Sequence, residues 1–491
     1  METRDDEFGG RGRRSGKSLR ALFAAGVAIA VSALAVVPAL AQDVGTDPGQ
    51  DMGSNSDRCP TRAAKIEVPG AAFKDADCLK DLTTTGTERT GHTNFEDWRG
   101  LNASGTKNPS GVGGLQIDGY FPDTSKTNTN NGFGKEPEGQ DSQFVIRFPN
   151  RWNGKLVVTG APGVRRQYAN DFIISDWVLA RGYAFASTDK GNTGTAFYDD
   201  GSAPGGSVAE WHRRVEQLTR ATKAAAESNY GRRPKGTYIT GISNGGYLTR
   251  YALENTPELY DGGVDWEGTL FRAAGPNLLT YLPTALANFP EYRATGSREA
   301  YRNIVGAGFA ADSEFLWNDY YTVYWDLTQR IYREEFDPEY DGDLEAGVPF
   351  CQPGTPNCDA DYEYFERPRE VREAVRKVQL TGRIKKPMIT LHGTLDTLLP
   401  IRTDSNVYRG LIADAGPASA PHVYYKVEDG DHVDSFYDRY PDRLRPILPC
   451  HRTAFRIFED WVEDGRKPPD SRLVARPGSG DLVNTCAIGT R

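Results

Sequence analysis

The chain has 491 residues, a formal net charge of -9, and 38% hydrophobic against 25% charged residues. A single core stops growing near ~250–300 residues, so this length calls for one large domain with an insertion or for two modest domains. The acidic balance, with no basic stripe carrying interleaved aromatics, excludes a surface built to grip nucleic acid.

In chain order, Arg11, Arg13, Arg14, Lys17 and Arg20 precede an uncharged run rich in Ala, Val and Leu from Ala21 to Ala41, which ends Ala39-Leu40-Ala41. A basic region, an apolar region and an A-x-A end are the parts of a secretory signal peptide, expected over 1–41. The run also approaches the length of a bilayer span, so a retained anchor is the competing reading. Its Ala-rich character and its end favour removal, which predicts a secreted or otherwise extracytoplasmic protein without stable membrane insertion after processing. Export gives a meaning to Cys59, Cys78, Cys351, Cys358, Cys450 and Cys486, an even set expected to oxidise. The simplest pairing joins neighbours: Cys59 with Cys78, Cys351 with Cys358, Cys450 with Cys486. No CxxC pair or Cys/His cluster has zinc spacing.

Residues 42–134 read as a leader and N-terminal extension in which no strand can be placed well. The first part of a core is expected over 135–277. It holds strands at Ser142–Pro149, Gly154–Thr159, Tyr183–Ser187 and Thr237–Thr240, with helices over 169–181 and from a Ser207 cap onward. The unbroken Leu156-Val157-Val158 run suits a strand buried on both faces. Strand and crossover helix alternate, which predicts a mostly parallel sheet covered on both sides. The interval 278–380 changes texture, with Phe315, Trp317, Tyr320, Tyr321, Tyr324 and Trp325 among charges and prolines. It reads as a lid insertion whose aromatics form either its own core or the lining of a cleft. The second part of the core is expected over 381–465, with strands at Lys386–His392 and Pro421–Val427 and a helix over Ala454–Trp461. A tail of 466–491 follows.

The strongest local signal is Gly241-Ile242-Ser243-Asn244-Gly245-Gly246, placed between a strand and an amphipathic helix. Small residues two before and two after the serine let strand and helix approach while a strained turn exposes the hydroxyl, which is the nucleophile elbow. A serine hydroxyl needs a base to take its proton, and candidates follow in the order acid then histidine. Asp396 stands in the loop after a buried strand, and His432 in the loop after the next. Of the other five histidines, His392 ends a strand and is expected to pack beneath Asp396. His422 lies inside a strand, His212 and His451 lie on helices, and His92 precedes the recognisable sheet. Asp431 and Asp434 flank His432, so which carboxylate supports it stays open. The oxyanion hole is expected from backbone N–H groups of Asn244 and of Ala161 or Gly163, since Pro162 has none. No Gly-rich loop ends in the Lys-Ser/Thr of a P-loop.

These three ordered motifs make 140–465 resemble the α/β-hydrolase superfamily. Within it, the Gly-Ile-Ser-Asn-Gly-Gly elbow, the Leu391-His-Gly-Thr-Leu-Asp396 segment and the Gly-Asp-His432 loop resemble the tannase and feruloyl esterase group and the hydroxybutyrate-oligomer hydrolases. The resemblance implies an α/β-hydrolase fold with an inserted lid, a secreted carboxylic ester hydrolase, and nucleophile, acid and base roles for Ser243, Asp396 and His432. Tannase and feruloyl esterase relatives commonly place bridged cysteines beside nucleophile and histidine; here Ile242 and Val433 occupy those positions. Such relatives can also hold calcium in the lid, for which Asp337, Glu339, Asp341 and Asp343 offer oxygens at short spacing, although the run does not match an EF-hand and an exposed acidic loop is the simpler reading. The expected reaction is ester cleavage through an acyl-enzyme on a small-molecule or oligomeric ester, without a cofactor. A secreted exopeptidase with the same triad and a noncatalytic binding protein on this scaffold are the alternatives.

Overall fold

A computed structural model describes residues 59–123, 141–340 and 359–489. The expected signal segment, the Cys351–Cys358 pair, and Asp341 and Asp343 of the acidic run lie outside the described residues. The described chain folds around a ten-stranded sheet in the order β1-β2-β3-β5-β4-β6-β7-β8-β9-β10. Strands β1 (Phe73–Leu79), β2 (Gly114–Tyr120) and β3 (Gln143–Pro149) form an antiparallel meander, and β3 pairs antiparallel with β5 (Ala184–Thr188). From there β4 (Lys155–Gly160), β6 (Gly236–Ile242), β7 (Gly262–Trp266), β8 (Met388–Gly393), β9 (His422–Val427) and β10 (Arg472–Val474) all run parallel.

The period-2 pattern sorts side chains to the two faces. Leu156, Val158 and Ile239 join one apolar cluster with Val208, Trp211 and Leu248 from the helices Gly206–Tyr230 and Asn244–Asn255. Val157, Tyr238, Ile389 and Leu391 join a second cluster with Val178, Phe455 and Phe458, the last two from the helix Leu448–Asp464. Two faces buried in this way explain why the central strands read as continuous apolar runs.

Several local expectations change. Residues 59–123 hold β1 and β2, so His92 does not precede the sheet: it follows β1, and its Nε2 lies 3.0 Å from Asp77 Oδ2. Alternation in β1 is weak because the strand lies at the sheet edge and is only part-buried, which hid it. Ser207 is not a cap, because the long helix begins at Gly206 after Gly205, whose positive φ of 80° provides the entry turn. The stretch expected as one helix over 169–181 opens with a wide turn at Asp171–Ser175 before the α-helix Asp176–Ala180. β7 and β10 carry no sequence signal of their own: β7 is Gly-Gly-Val-Asp-Trp, and β10 spans three residues.

Disulfides join Cys59 to Cys78 and Cys450 to Cys486, the second fastening the C-terminal tail to the helix Leu448–Asp464. Among the described residues no helix is long and apolar enough to cross a membrane. Between β7 and β8 lie the helices Leu278–Thr295, Arg298–Ala307, Glu314–Tyr320, Asp326–Phe336 and Arg369–Val378. Trp317, Tyr321 and Trp325 are buried there among Phe289, Tyr292, Tyr301 and Phe309 as the insertion's own core, while Tyr320 and Tyr324 pack against Phe436 and Phe315 against Tyr440, outside it.

Candidate active site

Ser243 stands between the end of β6 and the helix Asn244–Asn255 with φ 57° and ψ -121°, a conformation that costs a non-glycine residue energy and is held by its surroundings. Its N–H donates to Trp266 O at 3.0 Å, which ties the turn to β7. The flanking glycines are required by space. A Cβ on Gly241 would meet the Gly245 backbone at 2.6 Å, and one on Gly245 would meet Gly160 O at 2.6 Å. The elbow therefore packs against itself and against the end of β4.

Ser243 Oγ lies 3.1 Å from His432 Nε2, and His432 Nδ1 lies 2.9 Å from Asp396 Oδ2. All three residues are buried, and they come from the ends of β6, β9 and β8 at the carboxyl edge of the sheet. Asp396 Oδ1 accepts the N–H groups of Leu398 at 2.9 Å and Leu399 at 2.7 Å, while Oδ2 also faces His392 Nε2 at 3.1 Å. Burial alone would raise this carboxyl; the charge of His432 and the bonds from His392 and His432 outweigh it and hold the group below the usual carboxylate range. An ionised carboxylate only accepts, so His432 Nδ1 carries the proton and Nε2 is left to receive one from Ser243. Burial opposes the imidazolium of His432, yet the Asp396 charge and hydrogen bond raise its pKa above the ordinary value.

His392 packs beneath Asp396. Its Nε2 faces two acceptors, Asp396 Oδ2 and Leu399 O at 2.8 Å, so that nitrogen is the protonated one. Its Nδ1 pairs with Ser405 Oγ at 2.6 Å, and Ser405 in turn accepts from Arg250. His212, His422 and His451 are each pushed down to about 3, first by burial, and their Nε2 atoms pair with the hydroxyls of Tyr247, Thr390 and Thr240. They are neutral packing groups.

The carboxylates beside the histidine separate cleanly. Asp434 accepts the N–H groups of Ile447 and Leu448 at the start of the last helix. Asp431 accepts Tyr320 O–H at 2.8 Å and Thr397 N–H at 3.2 Å, and burial together with the Asp396 charge pushes it up to about 8. Neither is the partner of His432 Nδ1.

Of the expected oxyanion donors, Ala161 is corrected: its N–H donates to Thr188 O at 3.0 Å, a continuation of the β4–β5 pairing, and is not free. Among the described residues the N–H groups of Asn244 and Gly163 have no acceptor. The side chain of Asn244 fixes these two donors to each other. Its Nδ2 donates to Gly163 O at 3.2 Å and to Tyr332 O–H at 2.7 Å, and its Oδ1 accepts Thr269 O–H at 3.0 Å. Sequence reasoning used only the Asn244 backbone. Asp337 of the acidic run is bonded to Tyr362 O–H and Arg367, so its carboxylate is already engaged. Ile242 and Val433, standing where relatives place cysteines, both lie in one apolar cluster.

Sequence reasoning also missed Glu267, the first residue past β7, whose Oε1 stands 4.0 Å from His432 Nδ1. The only signal was position: β7 separates the strands that lead to Ser243 and Asp396, and it was not recognised as a strand.

A sharp turn after a central parallel strand presents Ser243, while Asp396 and His432 follow strands β8 and β9, beyond the intervening β7. The chain has an α/β-hydrolase fold. Residues 132–266 match the family model for tannase and feruloyl esterase, and residues 355–489 match the one for 3HB-oligomer hydrolase. A D-(-)-3-hydroxybutyrate oligomer hydrolase of Cupriavidus pinatubonensis is 27% identical over 124 residues, 24% of this chain and 18% of that protein. A mono(2-hydroxyethyl) terephthalate hydrolase of Piscinibacter sakaiensis is 28% identical over 137 residues, 25% of this chain and 22% of that one. These matches thus span about a fifth of the relatives' own length. Among solved structures, feruloyl esterase B from Aspergillus oryzae is similar at a TM-score of 0.48, with 14% identity over 84% of this chain and 92% of the other.

Proposed function

We propose that this protein is an extracytoplasmic serine hydrolase of carboxylic esters. The observation that carries the reading is the continuous hydrogen-bonded line from Ser243 Oγ through His432 to Asp396, at 3.1 and 2.9 Å. His432 Nε2 takes the Ser243 proton as Oγ attacks the ester carbonyl, and the new charge on oxygen is met by the N–H groups of Asn244 and Gly163. The imidazolium then gives that proton to the leaving alcohol. Water repeats the steps on the acyl-enzyme, releasing the acid and restoring Ser243.

The substrate class follows from the two matched families and the names of the relatives: short hydroxyalkanoate oligomers or aromatic carboxylic esters. The two disulfides and the basic-then-apolar N-terminus support an oxidising compartment outside the cytoplasm. The test is product identification with 3-hydroxybutyrate oligomers, hydroxycinnamoyl esters, aromatic diacid monoesters and unblocked peptides, with Ser243→Ala as control. Ester turnover that disappears in the variant is expected. Peptide turnover without ester turnover, or ester turnover undiminished in Ser243→Ala, would overturn the proposal.

A further inference from the structure

Glu267 is a buried carboxyl that the mechanism above leaves unused. It leaves β7 with φ 40°, a left-handed conformation rare for a residue with a side chain. The conformation is held by its N–H, which donates to Leu391 O at 2.7 Å. One oxygen, Oε2, accepts Gly393 N–H at 3.3 Å. The other, Oε1, is fully buried with no hydrogen-bond partner and stands 4.0 Å from His432 Nδ1. Ligand atoms of Glu267, Asp396 and His432 all lie within 4.8 Å of one another.

The position of Oε1 is a cost to folding. A buried polar atom without a partner is unfavourable, and so is a backbone strained to hold it. What the position does provide is a second carboxyl at the one ring nitrogen whose protonation sets the tautomer of the base. The groups facing Glu267 are the carboxyls of Asp396, Asp431 and Asp434, the His432 ring and the Gly393 N–H. Burial first, and then the Asp396 charge, holds Glu267 protonated while Asp396 is ionised, because two carboxylates in one dry pocket repel.

We propose that Glu267 is a second acid of this site, a positioning residue able to hold His432 Nδ1–H in place of Asp396. Without the Asp396 charge, Glu267 loses its proton to bulk water and its Oε1 becomes an acceptor. Closing the gap from 4.0 Å to hydrogen-bond length takes a shift of about 1 Å, within the reach of a glutamate side chain. The proposal rests on the ester-hydrolase reading, since it assigns Glu267 to the base of that reaction.

The test compares Asp396→Ser, Glu267→Gln and the double variant on a short-acyl nitrophenyl ester. Serine is chosen because it removes the carboxyl while keeping a polar oxygen on the side facing the N–H groups of Leu398 and Leu399. Glu267→Gln alone is expected to lower kcat several-fold with KM unchanged. Asp396→Ser is expected to keep roughly 100-fold more kcat than the double variant, again with KM unchanged, so the two losses do not multiply. Proton NMR of the full chain supplies a readout independent of turnover. The far-downfield His432 Nδ1–H resonance persists in Asp396→Ser and vanishes in the double variant.

Equal kcat in Asp396→Ser and the double variant, losses that simply multiply, or a resonance already lost in Asp396→Ser would each overturn the proposal. If Asp396→Ser does not fold, Asp396→Ala takes its place with the same criteria. Fluorophosphonate labelling of Ser243 in the unaltered protein tests the ester-hydrolase reading separately, so a failure of one is not mistaken for a failure of the other.

Discussion

The carboxyl edge of the sheet and the helical stretch Leu278–Phe336 are built on opposite principles. At the edge, polar and ionised groups are buried close together: Ser243 and Glu267 adopt positive φ, and Asp396 gathers four donors. In the helical stretch, large rings bury one another around a buried Asp326–Arg330 ion pair, and three aromatic polar atoms reach outward to the edge. Tyr320 O–H donates to Asp431 beside the base, Trp325 Nε1–H to Thr397 O beside the acid at 2.7 Å, and Tyr332 O–H accepts from Asn244 beside the nucleophile. Each loop that carries a member of the line from serine to aspartate is thus held by one aromatic side chain of the insertion. The difference teaches that the strained, polar edge depends on the insertion's aromatic side chains to hold its loops in place.

The comparison can be broken most directly at the serine. Ser243→Ala is expected to lower kcat roughly 10⁴-fold or more while leaving the thermal midpoint nearly unchanged, since alanine keeps the strained backbone and loses only the hydroxyl and its bond to His432. Steady-state kinetics beside calorimetry would check this, and a large drop in midpoint would show that the edge is structural after all. In the insertion the opposite pattern is expected. Trp325→Ala removes a fully buried indole and its bond to Thr397 O, with a loss of about 3–5 kcal/mol in chemical denaturation.

Away from both regions, replacing Cys450 and Cys486 with serine frees a tail held by a bridge of sequence separation 36. A loss of about 2–4 kcal/mol is expected, with kcat retained once the protein is folded. Asp431 joins the two regions through Tyr320. Its folded pKa of about 8 lies above the unfolded value, so the stability of its protonated form is full at low pH and is gone once pH passes about 8. Asp431→Asn should therefore gain about 1–3 kcal/mol over the unaltered protein between about pH 6 and 8, read from paired denaturation curves.

The smallest expected effect is the acid limb of kcat/KM. Because His432 is raised by Asp396 and must be neutral to act, activity should fall about tenfold per pH unit below a midpoint above that of free imidazole. A pH–rate profile with its midpoint below 6.5 would contradict the assigned environment.

The elbow was legible because its pattern is short-range: Gly241 has no room for a side chain against Gly245, and the residues on either side carry clear strand and helix periods. Asp396 and His432 were legible from chain order and from their places just after apolar strands. β1 was not, since an edge strand alternates weakly, and β7 was not, since Gly262 and Gly263 blur the apolar run. With β7 unrecognised, Glu267 had no reason to be placed beside a histidine 165 positions later in the chain.

By itself the sequence determined the mostly parallel sheet and the serine turn, because each follows from short-range spacing and side-chain period. Only the tertiary structure decided which donors are free, which carboxylate meets His432 and where the insertion's aromatics point. These depend on distances between segments far apart in the chain. The Ala161 N–H is taken up by Thr188, Asp434 by the start of the last helix, and Asp431 by Tyr320. Such competition for partners leaves no trace in the spacing of residues along the chain.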